Sequence, residues 1–89
     1  MTDSETLIGP HAADVMEQAV DDDLIVFNPS SESYYTLNRT AREVWELADG
    51  TRTATGIAEI LANRYEADSA QIAPDVAAII ANLADAGLI

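Results

Sequence analysis

The run Ser33-Tyr34-Tyr35-Thr36-Leu37-Asn38 passes without a linker into Arg39-Thr40-Ala41-Arg42-Glu43-Val44-Trp45. Tyr, Thr and Leu suit a pleated, half-buried surface. The residues after Asn38 carry apolar positions at helical spacing. A strand that turns directly into a helix fixes where the helix begins relative to the sheet. Alternation puts Tyr35 and Leu37 on one face of the strand and Tyr34 and Thr36 on the other. Three of the chain's five aromatic residues (Tyr34, Tyr35 and Trp45) fall in this stretch. The strand carries no charge and no proline, the residues with which a sheet edge is usually blunted. It is therefore read as an edge able to receive another peptide. The bland alternative is a strand interior to the sheet, and the residues alone leave the two open.

The elements on either side follow from punctuation. Residues 1–10 read as a flexible tail ending at Gly9-Pro10. His11 is expected to be an exposed residue without a role. Ala12 to Val20 alternates weakly and is read as a strand. A short helix competes, because Ala, Met, Glu and Gln favour one. Asp21-Asp22-Asp23 is a solvated turn. A cation site is the alternative, but adjacent carboxylates cannot all converge on one ion and the spacing of a Ca²⁺ loop is missing. Leu24-Ile25-Val26-Phe27 is the most β-prone run, and Asn28 to Ser33 is turn chemistry. Three strands joined so closely make an antiparallel meander.

Three helices are expected after it. Thr40 and Glu43 fit a capping box for the first, and Asp49-Gly50 stops it. Thr53 or Thr55 caps the second, which runs to about Tyr65 with Ile57, Leu61 and Tyr65 in one row. Pro74 has no N–H and is best tolerated in a first turn. That predicts a separate turn over 69–72 and a regular helix from Ala73. Val76, Ile79, Ile80 and Leu83 form its apolar stripe, Gly87 ends it, and Leu88-Ile89 fold back onto the core. The order βββααα gives an α+β domain with helices on one face of a small sheet.

Composition narrows function. At 89 residues one core is possible, because a chain of this size buries somewhat over ~60% of its unfolded surface. Sixteen acids stand against four arginines, with no lysine, for a net charge of −12. Such a surface repels phosphate backbones and anionic membranes. Cysteine is absent, so disulfides, thiolate metal sites and a Cys nucleophile are excluded. No apolar run approaches the ~20 residues that span a bilayer. The polar, acidic first residues do not resemble a secretory signal, and a cytoplasmic protein is expected. One His, no Ser-His-Asp set and no Gly-rich phosphate loop make an enzyme a poor fit.

Taken together, Tyr34 to Ala41, Val44-Trp45-Glu46-Leu47-Ala48-Asp49-Gly50, Thr53, Ile57-Ala58, Leu61, Tyr65, Asp75-Val76, Leu83 and Gly87-Leu88-Ile89 resemble the PqqD-like family. The resemblance covers residues 12–89, so that residues 11–89 form the recognition domain behind the tail. It implies a winged helix-turn-helix-like fold of three strands and three helices, with no catalytic centre and no cofactor. Members of that family bind the leader segment of a ribosomally made precursor peptide. The leader adds as a strand beside the third strand and lies against the third helix. The implied partners are that precursor peptide and a modifying enzyme: a radical SAM enzyme, a cyclase or a leader peptidase. The expected contact residues are Ser33, Tyr34, Tyr35, Thr36 and Leu37 on the strand, with the Tyr35 N–H in the pairing edge. On the third helix they are Asp75, Ile79, Asn82 and Ala86. Ile79 offers an apolar pocket, or else is plain core, and Asp75 is placed to pair with a basic leader residue. Trp45 is expected in the core. Two other functions compete. A winged-helix DNA-binding regulator fits the fold but not the charge, and a general protein-interaction module would dock through the same edge.

Overall fold

The computed structural model describes residues 6–89. Its larger sheet holds β2 (Met16–Val20), β3 (Asp23–Asn28) and β4 (Ser33–Leu37), antiparallel in that order. Three helices follow: α1 (Arg39–Leu47), α2 (Ala54–Tyr65) and α3 (Ser69–Asp85). A second, two-stranded sheet joins β1 (Leu7–Ile8) to β5 (Arg52–Thr53). The α+β class and the order of a meander followed by three helices are those expected.

The helices cover one face of the sheet. Leu24, Val26 and Asn28 of β3 are buried on that face, as is Leu37 of β4. They meet Val44, Trp45, Ile57, Leu61 and Val76, all essentially inaccessible, in a single core. β2 lies beyond the helices, and all five of its residues are exposed. Leu88 folds back as expected and is fully buried. Its carbonyl accepts from the Ala12 N–H at 2.7 Å, and its own N–H reaches the Leu83 carbonyl.

Several boundaries differ from the sequence reading. Of the expected tail, residues 1–5 lie outside the described residues. Leu7 and Ile8 are a strand rather than a tail, and Ile8 is buried. The segment is held by close approach of backbone to backbone. A Cβ at Gly9 would lie 2.1 Å from the Ala48 carbonyl oxygen, so no other residue fits there. Gly50, at φ +88°, donates its N–H to the Ile8 carbonyl at 2.8 Å. His11 is not a free surface residue. Its ring stacks on Trp45 with centroids 3.4 Å apart, and its Nε2 donates to the Trp45 carbonyl at 2.7 Å. Residues 12–20 are a strand only from Met16 onward, and the helical alternative is not adopted.

The caps of α1 and α3 also differ. Asn38, not Thr40, begins α1. Its backbone is extended and its side chain accepts the Ala41 N–H at 2.9 Å, so Arg39 is already helical. Glu43 is thereby freed from a capping role and pairs with Arg64 and Tyr65 on α2. Thr53 caps α2 through the Gly56 N–H, as one of the two expected choices. α3 is one helix from Ser69, not a turn followed by a helix from Ala73. The Asp68 carboxylate caps Ala70, and the Asp68 carbonyl accepts from both Gln71 and Ile72. That nucleates the helix before Pro74 is reached. Pro74 removes only the bond to Ala70, whose residue is exposed, so water can satisfy that carbonyl. Among the described residues no helix is long and apolar enough to cross a membrane.

Candidate functional site

β4 is an edge of its sheet, and what faces outward from it is set by register. Val20 and Asp23 pair across a two-residue turn, which makes them a hydrogen-bonded pair. No bulge interrupts either ladder. Alternation therefore turns the backbone groups of Asp23, Ile25 and Phe27 toward β2, and those of Leu24, Val26 and Asn28 toward β4. Their partners Leu37, Tyr35 and Ser33 use their backbone bonds within the sheet. The N–H and C=O groups of Tyr34 and Thr36 face away from it. The expectation that the Tyr35 N–H lies in the free edge is corrected: it belongs to the β3–β4 ladder.

The side chains divide the other way. Tyr35 and Leu37 point toward the helices, while Tyr34 and Thr36 lean to the outer face. On that face the Tyr34 ring packs against Phe27, with centroids 4.7 Å apart, and stays 74% exposed.

Beside the free edge runs a cleft walled by α3. Its narrower part, about 350 Å³, is lined by Tyr34, Tyr35, Thr36 and Leu37 of β4 and by Ile79, Asn82, Leu83 and Ala86 of the helix region. Ala41 of α1 and Leu88 complete its lining. A wider part of about 540 Å³ continues past Asn38, Thr40 and Ala41 along Asp75, Ala78, Ile79 and Asn82, with Asp23 at its rim. Thr36, Ala41, Ile79 and Asn82 line both parts, so the two are one trough. α3 runs antiparallel to β4 along it: Ala86 lies at the Tyr34–Tyr35 end and Asp75 at the Asn38–Thr40 end.

The trough changes character along its length. Leu37, Leu83, Ala86 and Leu88 make one end apolar. Asp23, Asn38, Thr40 and Asp75 make the other polar and acidic, and no Arg lines either part. The arginines are engaged elsewhere, Arg42 with Glu46, Arg52 with Asp49, and Arg39 and Arg64 with Glu43. The far end of α3 is pinned by Asn28, a buried polar side chain of β3. Its Nδ2 donates to the carbonyls of Ala86 at 3.1 Å and Gly87 at 3.4 Å, while its Oδ1 accepts from Ser30.

The structure thus brings eight of the nine expected contact residues to one trough. Ser33 does not line it. Ile79 is half-buried at the joint of the two parts rather than plain core, and Trp45 is fully buried as expected. Ala41, Leu83 and Leu88 were missed as lining residues, as were Asp23, Asn38, Thr40 and Ala78. The absence of a linker after Leu37 was the available signal for Asn38, Thr40 and Ala41, since the first turn of α1 has to sit beside the end of β4. No His or Cys lines the trough, and among the described residues no group of three or more His, Cys, Asp or Glu is placed to hold a metal ion.

The chain is similar to known proteins. A "PqqA binding protein" of Rhodopseudomonas palustris strain BisB5 is 43% identical over 49 residues, 55% of this chain and 48% of that protein. The counterpart of strain TIE-1 is 45% identical over the same share. The chain thus spans about half the length of the curated relatives it matches. A solved structure described as "TbiB1 in Complex with the TbiA(beta) Leader Peptide" superposes with a TM-score of 0.76 over 88% of this chain and 91% of that chain. At 18% identity that likeness establishes the fold alone. The family model of coenzyme PQQ synthesis protein D matches residues 23–89, from the start of β3 through β4 and all three helices, and the chain belongs to the PqqD family.

Proposed function

We propose that this protein binds the leader segment of a ribosomally made precursor peptide and presents it to a modifying enzyme. The leader would add as a strand to β4 and lie in the trough against α3. The observation that carries this reading is the free backbone of Tyr34 and Thr36 beside a preformed, partly apolar trough. Strand addition needs both features: main-chain bonds supply affinity, and alternate pockets supply specificity. The relatives' name and the leader peptide bound to TbiB1 point the same way.

On this reading the protein acts by binding and not by catalysis, in the cytoplasm, with a radical SAM enzyme, a cyclase or a leader peptidase as the downstream partner. Tyr34, Tyr35, Thr36, Leu37, Asp75, Ile79, Asn82 and Ala86 are the contact residues, and Ser33 only flanks them. The recognition domain would extend from Leu7, because β1 packs into the same unit. Duplex DNA is disfavoured as a ligand, since α3 carries no Arg or Lys and the net charge is −12.

The test is a pair of proline variants titrated with the precursor peptide encoded beside the gene. Thr36→Pro removes an N–H that faces away from the sheet, so the fold should survive and binding should fall by about 1 kcal/mol or more. Tyr35→Pro removes a ladder bond and should lower the melting temperature of the free protein. In the wild type, amide shifts should concentrate in residues 33–38 and 75–86. Shifts confined to α2, or unchanged affinity in a folded Thr36→Pro variant, would rule strand addition out.

A further inference from the structure

The parity of β4 and the graded lining of the trough together say more about the ligand than that it is extended. Tyr34 and Thr36 hold the free backbone groups, so the ligand residues hydrogen-bonded to them carry their side chains on the outer face. The ligand residues opposite Tyr35, Leu37 and the position beyond point the other way, into the trough. Only every second ligand residue is therefore in contact with α3, and any two such residues are separated by an even number of positions.

The two ends of the trough differ chemically. At the Tyr35 end an entering side chain meets Leu83, Ala86 and Leu88. Toward Asn38 it meets Asp75, with Asp23 at the rim, and among the described residues no cation lines that part. Asp75 and Ala86 are eleven residues apart on one helix, about 16 Å at 1.5 Å per residue. Four strand residues span about 14 Å, and two span about 7 Å. At four residues a long basic side chain closes the remaining distance; at two it does so where the apolar residue sits against Leu83, eight residues and about 12 Å from Asp75.

Resting on the strand-addition reading, we infer that the trough selects a peptide with a large apolar residue at the Ala86 end and a Lys or Arg two or four residues away at the Asp75 end. The acid end acts on specificity more than on affinity. Both carboxylates stay near solvent, so an ion pair there discriminates by a few-fold and weakens with salt. Aspartate or glutamate at the same ligand position is disfavoured by the same charges and by the acidic surface around them. The ligand residues that alternate with these, facing out, are free to vary with respect to this protein.

The test uses a displayed library of random 15-residue peptides panned on the immobilised protein, in parallel with an Asp23→Asn/Asp75→Asn variant and with Thr36→Pro. Circular dichroism confirms that each variant is folded. The expected result is enrichment of peptides with an apolar residue and a Lys or Arg at even spacing. The double Asn variant should keep the apolar preference and lose the basic one, and should bind a synthesised winner roughly two- to fivefold more weakly at low salt. Winners with an apolar residue but no basic preference, or a basic residue at odd spacing, overturn the inference and leave strand addition intact. Failure to enrich any peptide, or enrichment indifferent to Thr36→Pro, overturns strand addition and this inference with it.

Discussion

Asn28 holds the sheet to the end of α3 with both ends of one amide. It is 5% exposed, and it answers three backbone groups: the Ala86 and Gly87 carbonyls and the Ser30 N–H. Replacing it by Ala leaves those groups without partners in a site largely closed to water. Asn28→Ala should cost about 1–3 kcal/mol in urea denaturation. It should also loosen the Ala86 wall of the trough, so peptide affinity should fall although Asn28 lies outside the lining. In the sequence Asn28 reads only as turn chemistry before Pro29, because its Ala86 and Gly87 partners sit nearly sixty residues away and no local pattern points to them. The faces of β4, by contrast, were legible from alternation. Tyr35 and Leu37 face inward and Tyr34 and Thr36 outward because the period of a strand is two. Which residues keep free backbone groups was not legible. That follows from the Val20–Asp23 closing pair, two strands earlier.

At the level of elements, apolar patterning placed all three helices, while their ends depended on single residues. A cap is decided by one extended residue and one side-chain oxygen. Thr40 and Asn38 both qualify by composition, and the extended backbone of Asn38 takes the role. Pro74 is the clearest case of context overriding a local rule. Six residues into α3 it deletes one helix bond and crowds the preceding turn, yet the Asp68 cap and the burial of Val76 and Leu83 hold the helix together. Pro74→Ala should therefore raise stability, by about 1–3 kcal/mol, seen as a higher denaturation midpoint with an unchanged slope. α1 and α2 are tied by Glu43, which pairs with Arg64 at 3.1 Å and accepts from the Tyr65 hydroxyl. That carboxylate, and then burial, raise the Tyr65 phenol above its ordinary value. The neutral phenol is the favoured form in the fold. Its contribution is whole below pH 10 and is lost as pH rises through the elevated value. Tyr65 is 40% exposed, so Tyr65→Phe should cost less than about 1 kcal/mol at pH 7. The gap between the variant and the wild type should close in denaturation curves taken at successively higher pH above 10.

For the molecule as a whole, charge guards what shape leaves open. Both outer strands of the larger sheet, β2 and β4, lack Lys and Pro, and β2 is exposed along its entire length. Strands of that kind pair with other chains unless something prevents it. The feature that opposes it here is a net charge of −12 on 89 residues, with Asp14, Glu17 and Asp21–Asp23 at or beside β2. Two copies brought together at their β2 edges would juxtapose those acids, and pairing at β4 is opposed by the net charge. This repulsion has a definite pH dependence. The sequence pI is about 4.1, so lowering pH through the carboxylate range protonates the acids and removes the barrier while the backbone edges persist. In sedimentation velocity the protein should run as a monomer at pH 7 in low salt and associate reversibly as pH approaches 4. Salt offers an independent lever, because at 1 M the screening length shrinks to about 3 Å. Association at pH 7 in 1 M NaCl, suppressed by Thr36→Pro, would assign the contact to β4. Association suppressed instead by Ala19→Pro would assign it to β2. A monomer under every one of these conditions would show that strand twist, and not charge, keeps the edges apart.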